Sequence, residues 1–357
     1  MAYEVDFLAV GDGERSGDAI ALRLGNLQGH RKEQTVVVID GGFQDSGERL
    51  VNLIRRYYGT EDVDLAICTH PDADHAGGLV PVLERLRVGR LWMHQPWNHT
   101  DDIARVFRDG RVTDESVSAA LRRDLEDARS LETLAIRKRI PIVEPFTGTE
   151  HGNGQILVLG PAQEYYESLL PAFRSTPEPK AGLSAVVQRA REFVRTVAEN
   201  WNFETLDDTG ETSAENNSST ILLVAGDDGF LVFTADAGVP ALDRALSVLD
   251  RSRFNYSNIK FIQVPHHGSD HNVGPTMLNK LLGPRLTNDE RKKTAFVSVS
   301  RDAAPRHPSK KVTNAFRRRG APVYATQGVN IRHHHDAPPR SDYTDLTPLP
   351  FYNQVEE

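Results

Sequence analysis

Three apolar runs of strand length end on side chains suited to binding a metal ion, and this recurrence constrains the fold more than any other feature of the chain. Leu65-Ala66-Ile67-Cys68 leads through Thr69 into His70-Pro71-Asp72-Ala73-Asp74-His75. Phe230-Leu231-Val232-Phe233 leads to Asp236, and Phe261-Ile262-Gln263-Val264 leads through Pro265 to His266-His267-Gly268-Ser269. Imidazole nitrogen and carboxylate oxygen are the usual ligands of zinc and manganese, and a strand end fixes their direction while leaving the backbone free to turn. An acid just past an apolar strand is costly unless paired or coordinated. Each run alone has a plainer explanation: Asp72, Asp74 and Asp236 as helix caps, the histidines as core or surface residues. Three such ends in one chain point instead to a shared metal centre, which requires a fold that gathers strand ends at one place.

The remaining pattern supplies such a fold. Residues 5–10, 19–24, 35–39, 64–68 and 90–93 read as strands, with helices over 48–58 and 77–86, the latter carrying Leu79, Val82 and Leu86 on one face. A second series follows, with 220–225 and 230–234 as a hairpin across Gly226-Asp227-Asp228-Gly229, helices at 241–249 and 309–319, and strands at 261–264, 294–300 and 322–325. Between the two series, about 101–215 is charged and helix-periodic, as in 116–135 and 184–198, although 155–160 has strand character and 203–219 reads as a polar loop. The expected organisation is one domain over 1–335 with a largely helical insertion at about 101–215, followed by an irregular Pro-rich tail over 336–357. His94, His99 and His151 read as ordinary loop histidines, and His333-His334-His335 as a flexible surface loop.

Composition removes several function classes. A net charge of −8 opposes a protein-wide basic surface for nucleic acid, the clusters Arg291-Lys292-Lys293 and Arg317-Arg318-Arg319 reading as solvated helix faces. No stretch approaches the roughly 18 apolar residues of a membrane span. Cys68 has no disulfide partner, and the start Met1-Ala2-Tyr3-Glu4-Val5-Asp6 lacks the basic, then apolar, character of a secretory signal. The expectation is a cytoplasmic protein that does not engage membranes.

The order of the three ligand-bearing strand ends resembles the metallo-β-lactamase superfamily, with Asp72 standing where a second histidine is usual. Asp40-Gly41-Gly42, the segment 7–22 with Val10-Gly11-Asp12-Gly13 and Gly17-Asp18-Ala19, Asn216-Asn217-Ser218, and His307-Pro308 ahead of a helix are similar to the metallo-β-lactamase-like domain of the competence channel protein ComEC. The likeness covers roughly 5–95 and 216–328. It implies a four-layer αββα sandwich, two facing mixed sheets with helices outside, carrying a helical insertion. It also implies two divalent ions, zinc or manganese: His70 and Asp72 on one, Asp74, His75 and His266 on the other, Asp236 bridging, and His267 facing the substrate. Both His266 and His267 follow Pro265, so either imidazole can be the one that turns inward. The superfamily's further histidine on the first metal has no counterpart near Asn216-Asn217-Ser218.

Two such ions, about 3.5 to 4 Å apart, activate a water near neutral pH and stabilise charge on the attacked group, which is hydrolytic chemistry. Asp72 makes the set harder, favouring manganese and a phosphate-containing substrate, with Asp74 in the catalytic machinery and His267 or His307 as proton donor or phosphate clamp. A metal-dependent phosphodiesterase or nuclease-like enzyme follows, acting on a nucleotide or a nucleic-acid end. Hydrolysis of a thioester, lactone or lactam is the alternative on the same fold. So, in another class, is a binding module with a vestigial metal site whose helical insertion docks a protein partner.

Overall fold

The computed structural model describes residues 1–356 apart from 12, 14, 102, 108–111, 175–195 and 304–306. Its strands form two large mixed sheets. The first has seven strands in the order Ile331–His335, Ala2–Phe7, Ala19–Gly25, Gln34–Gly41, Leu65–Cys68, Leu91–Met93, Ile142–Val143. The second, also of seven, runs Val323–Ala325, Thr294–Val297, Ile259–Gln263, Phe230–Phe233, Ile221–Ala225, Ile156–Gly160, Glu150–His151. Pairing is parallel from Gln34–Gly41 outward in the first sheet and from Phe230–Phe233 outward in the second. Each sheet therefore aims a set of carboxyl strand ends the same way, the edge at which layered α/β proteins place ligands.

Period-two alternation divides each strand between two cores. Val5, Phe7, Leu22, Leu222, Phe233, Phe261 and Phe296 meet between the sheets, with Phe7 edge-on to Phe261 and Phe296 at 5.8 and 5.5 Å between ring centroids. On the outer side of the first sheet, Val36, Val38 and Ala66 pack on Leu50 and Val51 of helix Gln44–Leu53 and on Leu79 and Val82 of helix Leu79–Arg85. Outside the second, Ile221, Val232 and Ile262 pack on Leu242 and Leu246 of Val239–Arg251 and on Leu278 and Leu281 of Pro275–Leu282. This is the four-layer αββα sandwich expected from the sequence.

Three segments differ from their sequence expectations. In the insertion, Asp114–Asp124 and Glu126–Lys138 are helices and Ile156–Gly160 is the strand read from 155–160, but Ile142–Val143 and Glu150–His151 are further strands, one at an edge of each sheet. Of the helix expected over 184–198, residues 184–195 lie outside the described residues, and Thr196–Ala198 is a strand paired with Gln354–Glu356. His333-His334-His335 is not a surface loop: it belongs to the strand Ile331–His335, in register with Ala2–Phe7. The reason is alternation, for His333 stacks on Phe261 at 5.0 Å and meets Tyr3 Oη at 3.1 Å, while His334 points outward.

Candidate metal centre

The carboxyl ends of the parallel strands converge on one buried cluster. From the first sheet, the turn after Leu65–Cys68 carries His70 and passes into the short helix Ala73–Ala76 with Asp74 and His75. This loop sits against the strand that ends at Asp40 because Gly41 and Gly78 let the backbones touch; a side chain on Gly78 would collide with the Gly41 carbonyl. The second sheet contributes Asp236 past Phe230–Phe233, and His266 and His267 past Ile259–Gln263. Asp40, Ala235, His266 and His267 all have left-handed φ, from 44° to 55°. Non-glycine residues hold that conformation only where the surroundings impose it, and such strain gathers at functional sites.

Asp236, 3% exposed, is the hub. Its Oδ2 lies 3.4 Å from His75 Nε2, 3.6 Å from His266 Nε2, 3.9 Å from His70 Nε2 and 4.0 Å from His267 Nε2. Asp74 Oδ2 is 3.8 Å from His75 Nε2 and 3.6 Å from His267 Nε2. Asp72 Oδ2 is 3.9 Å from His70 Nε2, while its Oδ1 takes the Arg174 guanidinium. Two overlapping ligand groups result, His70 with His75 and Asp236, and Asp74 with His75 and His267, each with donor atoms within 4.8 Å of one another.

The structure thus seats His267 beside Asp74 and His75, where the family likeness had put His266. The physical reason is the anchoring of His267 Nδ1, which donates to the Ser298 carbonyl at 2.9 Å and turns Nε2 into the cluster. His266, 31% exposed at its side chain, donates instead to Asn272 Oδ1 at 2.8 Å and stands at the rim. His307 lies farther out, its ring 6.5 Å from that of His266. Asn216, near the place of the superfamily's further histidine, has its amide 3.4 Å from His266 Nδ1 and donates to Thr212 Oγ1.

The surrounding hydrogen bonds fix each tautomer so that Nε2 is the free nitrogen. His75 Nδ1 donates to Asp40 Oδ2 at 2.8 Å. Thr69 Oγ1 donates to the same carboxylate at 2.6 Å and is 3.1 Å from His70 Nδ1, so one acid orients two imidazoles. Asp40 carried the same strand-end signature as the other ligand runs; Thr69, Arg174 and the Ser298 carbonyl carried none.

A metal fits these residues. His70 Nε2, His75 Nε2, His267 Nε2 and Asp236 Oδ1 are buried without a hydrogen-bond partner, which is costly unless a cation satisfies them. Electrostatics agree. Burial opposes charge throughout, yet His75 and its neighbours hold Asp236 well below the ordinary carboxylate range, and Asp74 falls to about 2. His267 is pushed up to about 9 against its burial, chiefly by Asp236. Burial and the neighbouring His75 lower His70. The cluster is a nest of anionic oxygens already matched to positive charge.

Beside it, a cavity of about 420 Å³ runs from Asp72 and Asp74 to Glu126 and Asp127 of the insertion, with Arg174 and Glu215 on its wall. The start of helix Glu126–Lys138 therefore lines the approach to the cluster.

The other histidines stand apart. His99 is clamped between Glu144 and Glu167 at 2.9 and 3.0 Å. His151 packs edge-on to Trp92. His94 is buried, stacked on Tyr166 at 4.4 Å, and burial pulls it down to about 3. With a folded-state value below the ordinary 6.5, the proton binds the unfolded chain first. Stability from neutral His94 is complete above pH 6.5 and declines as pH falls toward 3, by about 2 kcal/mol on reaching pH 5. Urea midpoints of the parent and His94→Phe at pH 7.5 and 5 test this: the parent should lose more on acidification, and equal losses would refute it.

Among the comparisons with known proteins, the family match lies in the first half of the chain. Residues 30–165 match the family model of the metallo-beta-lactamase superfamily, a match that spans the His70–His75 loop and ends before Asp236. No curated protein matches the sequence. A solved metal-dependent hydrolase of the beta-lactamase superfamily is 14% identical with a TM-score of 0.41, covering 92% of this chain and 98% of that one. A mutant of the CmlA beta-hydroxylase is 12% identical with a TM-score of 0.40, covering 92% of this chain and 54% of its own. The Rm3 metallo-beta-lactamase is 12% identical with a TM-score of 0.31, over 87% of this chain and 90% of its own.

Proposed function

We propose that the chain is a metal-dependent hydrolase of the metallo-β-lactamase superfamily acting on a phosphodiester, a nucleotide or a nucleic-acid end. The observation that carries this reading is the convergence of buried, unpartnered His70, His75 and His267 nitrogens on Asp236, with Asp72 and Asp74 adding carboxylate oxygen. His70, Asp72 and Asp236 would hold one ion, and Asp74, His75, His267 and Asp236 the other. When bound, the two ions supply Lewis acidity and an activated water. The protein's part is orientation: Asp40 and the Ser298 carbonyl accept from Nδ1 of His75 and His267 and so turn each Nε2 toward the site. His266, at the rim with Nδ1 anchored on Asn272, is the group suited to give a proton to the leaving oxygen.

A substrate with few negative charges agrees with the wall. Arg174 offers a planar donor for a phosphate oxygen, but Glu126, Asp127 and Glu215 line the same cavity and would repel a long polyanion. The ComEC-like reading of the sequence points to the same chemistry. No helix among the described residues is long and apolar enough to cross a membrane, and Cys68, buried and unpaired, suits a reducing cytoplasm.

The test is hydrolysis of bis-p-nitrophenyl phosphate by metal-stripped protein titrated with manganese or zinc. Turnover should appear with added ion and be greater with manganese. Inactivity with every ion, together with activity on a thioester or lactone, would replace this reading with acyl hydrolysis.

A further inference from the structure

Asp18 lies at the turn into the strand Ala19–Gly25, 2% exposed, and has no part in the ligand scheme above. Its loop is pinned against the metal-site loop: Asp18 N–H donates to the Asp74 carbonyl at 3.2 Å, and a side chain on Gly17 would collide with that carbonyl. One carboxylate oxygen, Oδ2, accepts from Gln263 Nε2 at 2.8 Å. The orientation of Gln263 is fixed, because its Oε1 accepts the backbone N–H groups of Thr234 and Ala235, both at 3.0 Å. The other oxygen, Oδ1, is buried with no hydrogen-bond partner. Donor atoms of Asp18, Asp236 and His267 lie within 4.8 Å of one another, and His267 Nε2 is likewise buried and unpartnered.

A carboxylate held beside a second carboxylate, half satisfied and out of water, is an expensive arrangement that a shared cation would relieve. A purely structural acid in that place would be expected to have both oxygens paired.

We propose that Asp18 is a further ligand of the second divalent ion, joining Asp74, His75, His267 and the bridging Asp236. The inference rests on the metal-dependent reading above. It gives the second centre three carboxylates beside two imidazoles, a set that accepts manganese as well as zinc.

The experiment uses the full chain, stripped of metal by chelation and titrated with manganese chloride while free ion is followed by electron paramagnetic resonance. Cobalt replaces manganese in a parallel set for visible spectra. The parent should bind two ions. Asp18→Asn and Asp18→Ala should keep one site at the parent's affinity, weaken the other about tenfold or more, and change the cobalt spectrum. The isosteric Asn variant guards against misfolding, and its metal-free melting point should equal or exceed the parent's, since it removes a carboxylate from beside Asp236. Parent-like affinity in both variants overturns the proposal. So does weakened affinity with an unchanged cobalt spectrum, which would mean that Asp18 acts only through its neighbours. A parent that binds no manganese or cobalt would instead remove the metal-dependent reading itself, and this inference with it.

Discussion

Asp236→Ala is expected to lower bound metal and to cut phosphodiester turnover by roughly two or more orders of magnitude, since nothing else in the site can replace the activated water. The carboxylate faces four imidazoles at 3.4 to 4.0 Å, among them His75, which both ligand groups share. A methyl group there leaves the His70 and His75 nitrogens buried without an anionic partner between them. Rate and metal content should fall together, with elemental analysis of the purified variant read beside its turnover. Stoichiometry equal to the parent's would defeat the bridging role even if activity were lost.

The same assay separates the two adjacent histidines. His267→Ala should lose metal from the Asp74 side, because its Nε2 stands 3.6 Å from Asp74 and is buried. His266→Ala should retain that metal and lose turnover alone, because its ring lies at the rim. The opposite pattern would restore the assignment that family likeness suggests.

The strand ends were legible because burial makes them so: an apolar run cannot deliver His70, Asp236 or His267 into a dry interior without a reason, and few reasons exist. What the pattern could not carry was direction. Which of His266 and His267 turns inward depends on the Ser298 carbonyl and Asn272, on other segments, and any residue could supply that carbonyl. His333 was misread because three consecutive histidines look like surface composition, whereas the strand packs His333 on Phe261 and leaves His334 exposed. The docking of the tail left no comparable signal. Its Pro-rich sequence forms almost no regular structure, yet Arg340 bonds across the fold to the first strand, and Gln354–Glu356 pairs with Thr196–Ala198.

Arg340→Ala should destabilise the protein by about 3–5 kcal/mol, the loss typical when one partner of a buried ion pair is removed. Glu4 and Asp6, on the outer face of the strand Ala2–Phe7, are fully buried. Glu4 keeps other support, for Arg23 Nε donates to its Oε1 at 2.7 Å and Arg332 Nε to its Oε2 at 2.8 Å. For Asp6, Arg340 supplies the charge, donating through Nη1 to Oδ1 at 2.6 Å and through Nη2 to Oδ2 at 2.9 Å. Tyr58 and Tyr343 add only neutral hydroxyls, at 2.8 and 3.3 Å. Burial already raises the Asp6 carboxyl above its ordinary value while Arg340 opposes that rise. Without the guanidinium the folded-state value climbs further, so the folded chain binds the proton more readily than the unfolded one, and the penalty grows as pH rises. The gap in urea midpoint between variant and parent should therefore be wide at pH 7.5 and narrow toward pH 4. Adding Asp6→Asn to Arg340→Ala should recover part of the loss at neutral pH, because the amide leaves no unpaired charge behind. If the single variant unfolds at the parent's midpoint at pH 7.5, or if the gap does not respond to pH, the tail is packing on the sheet without neutralising it.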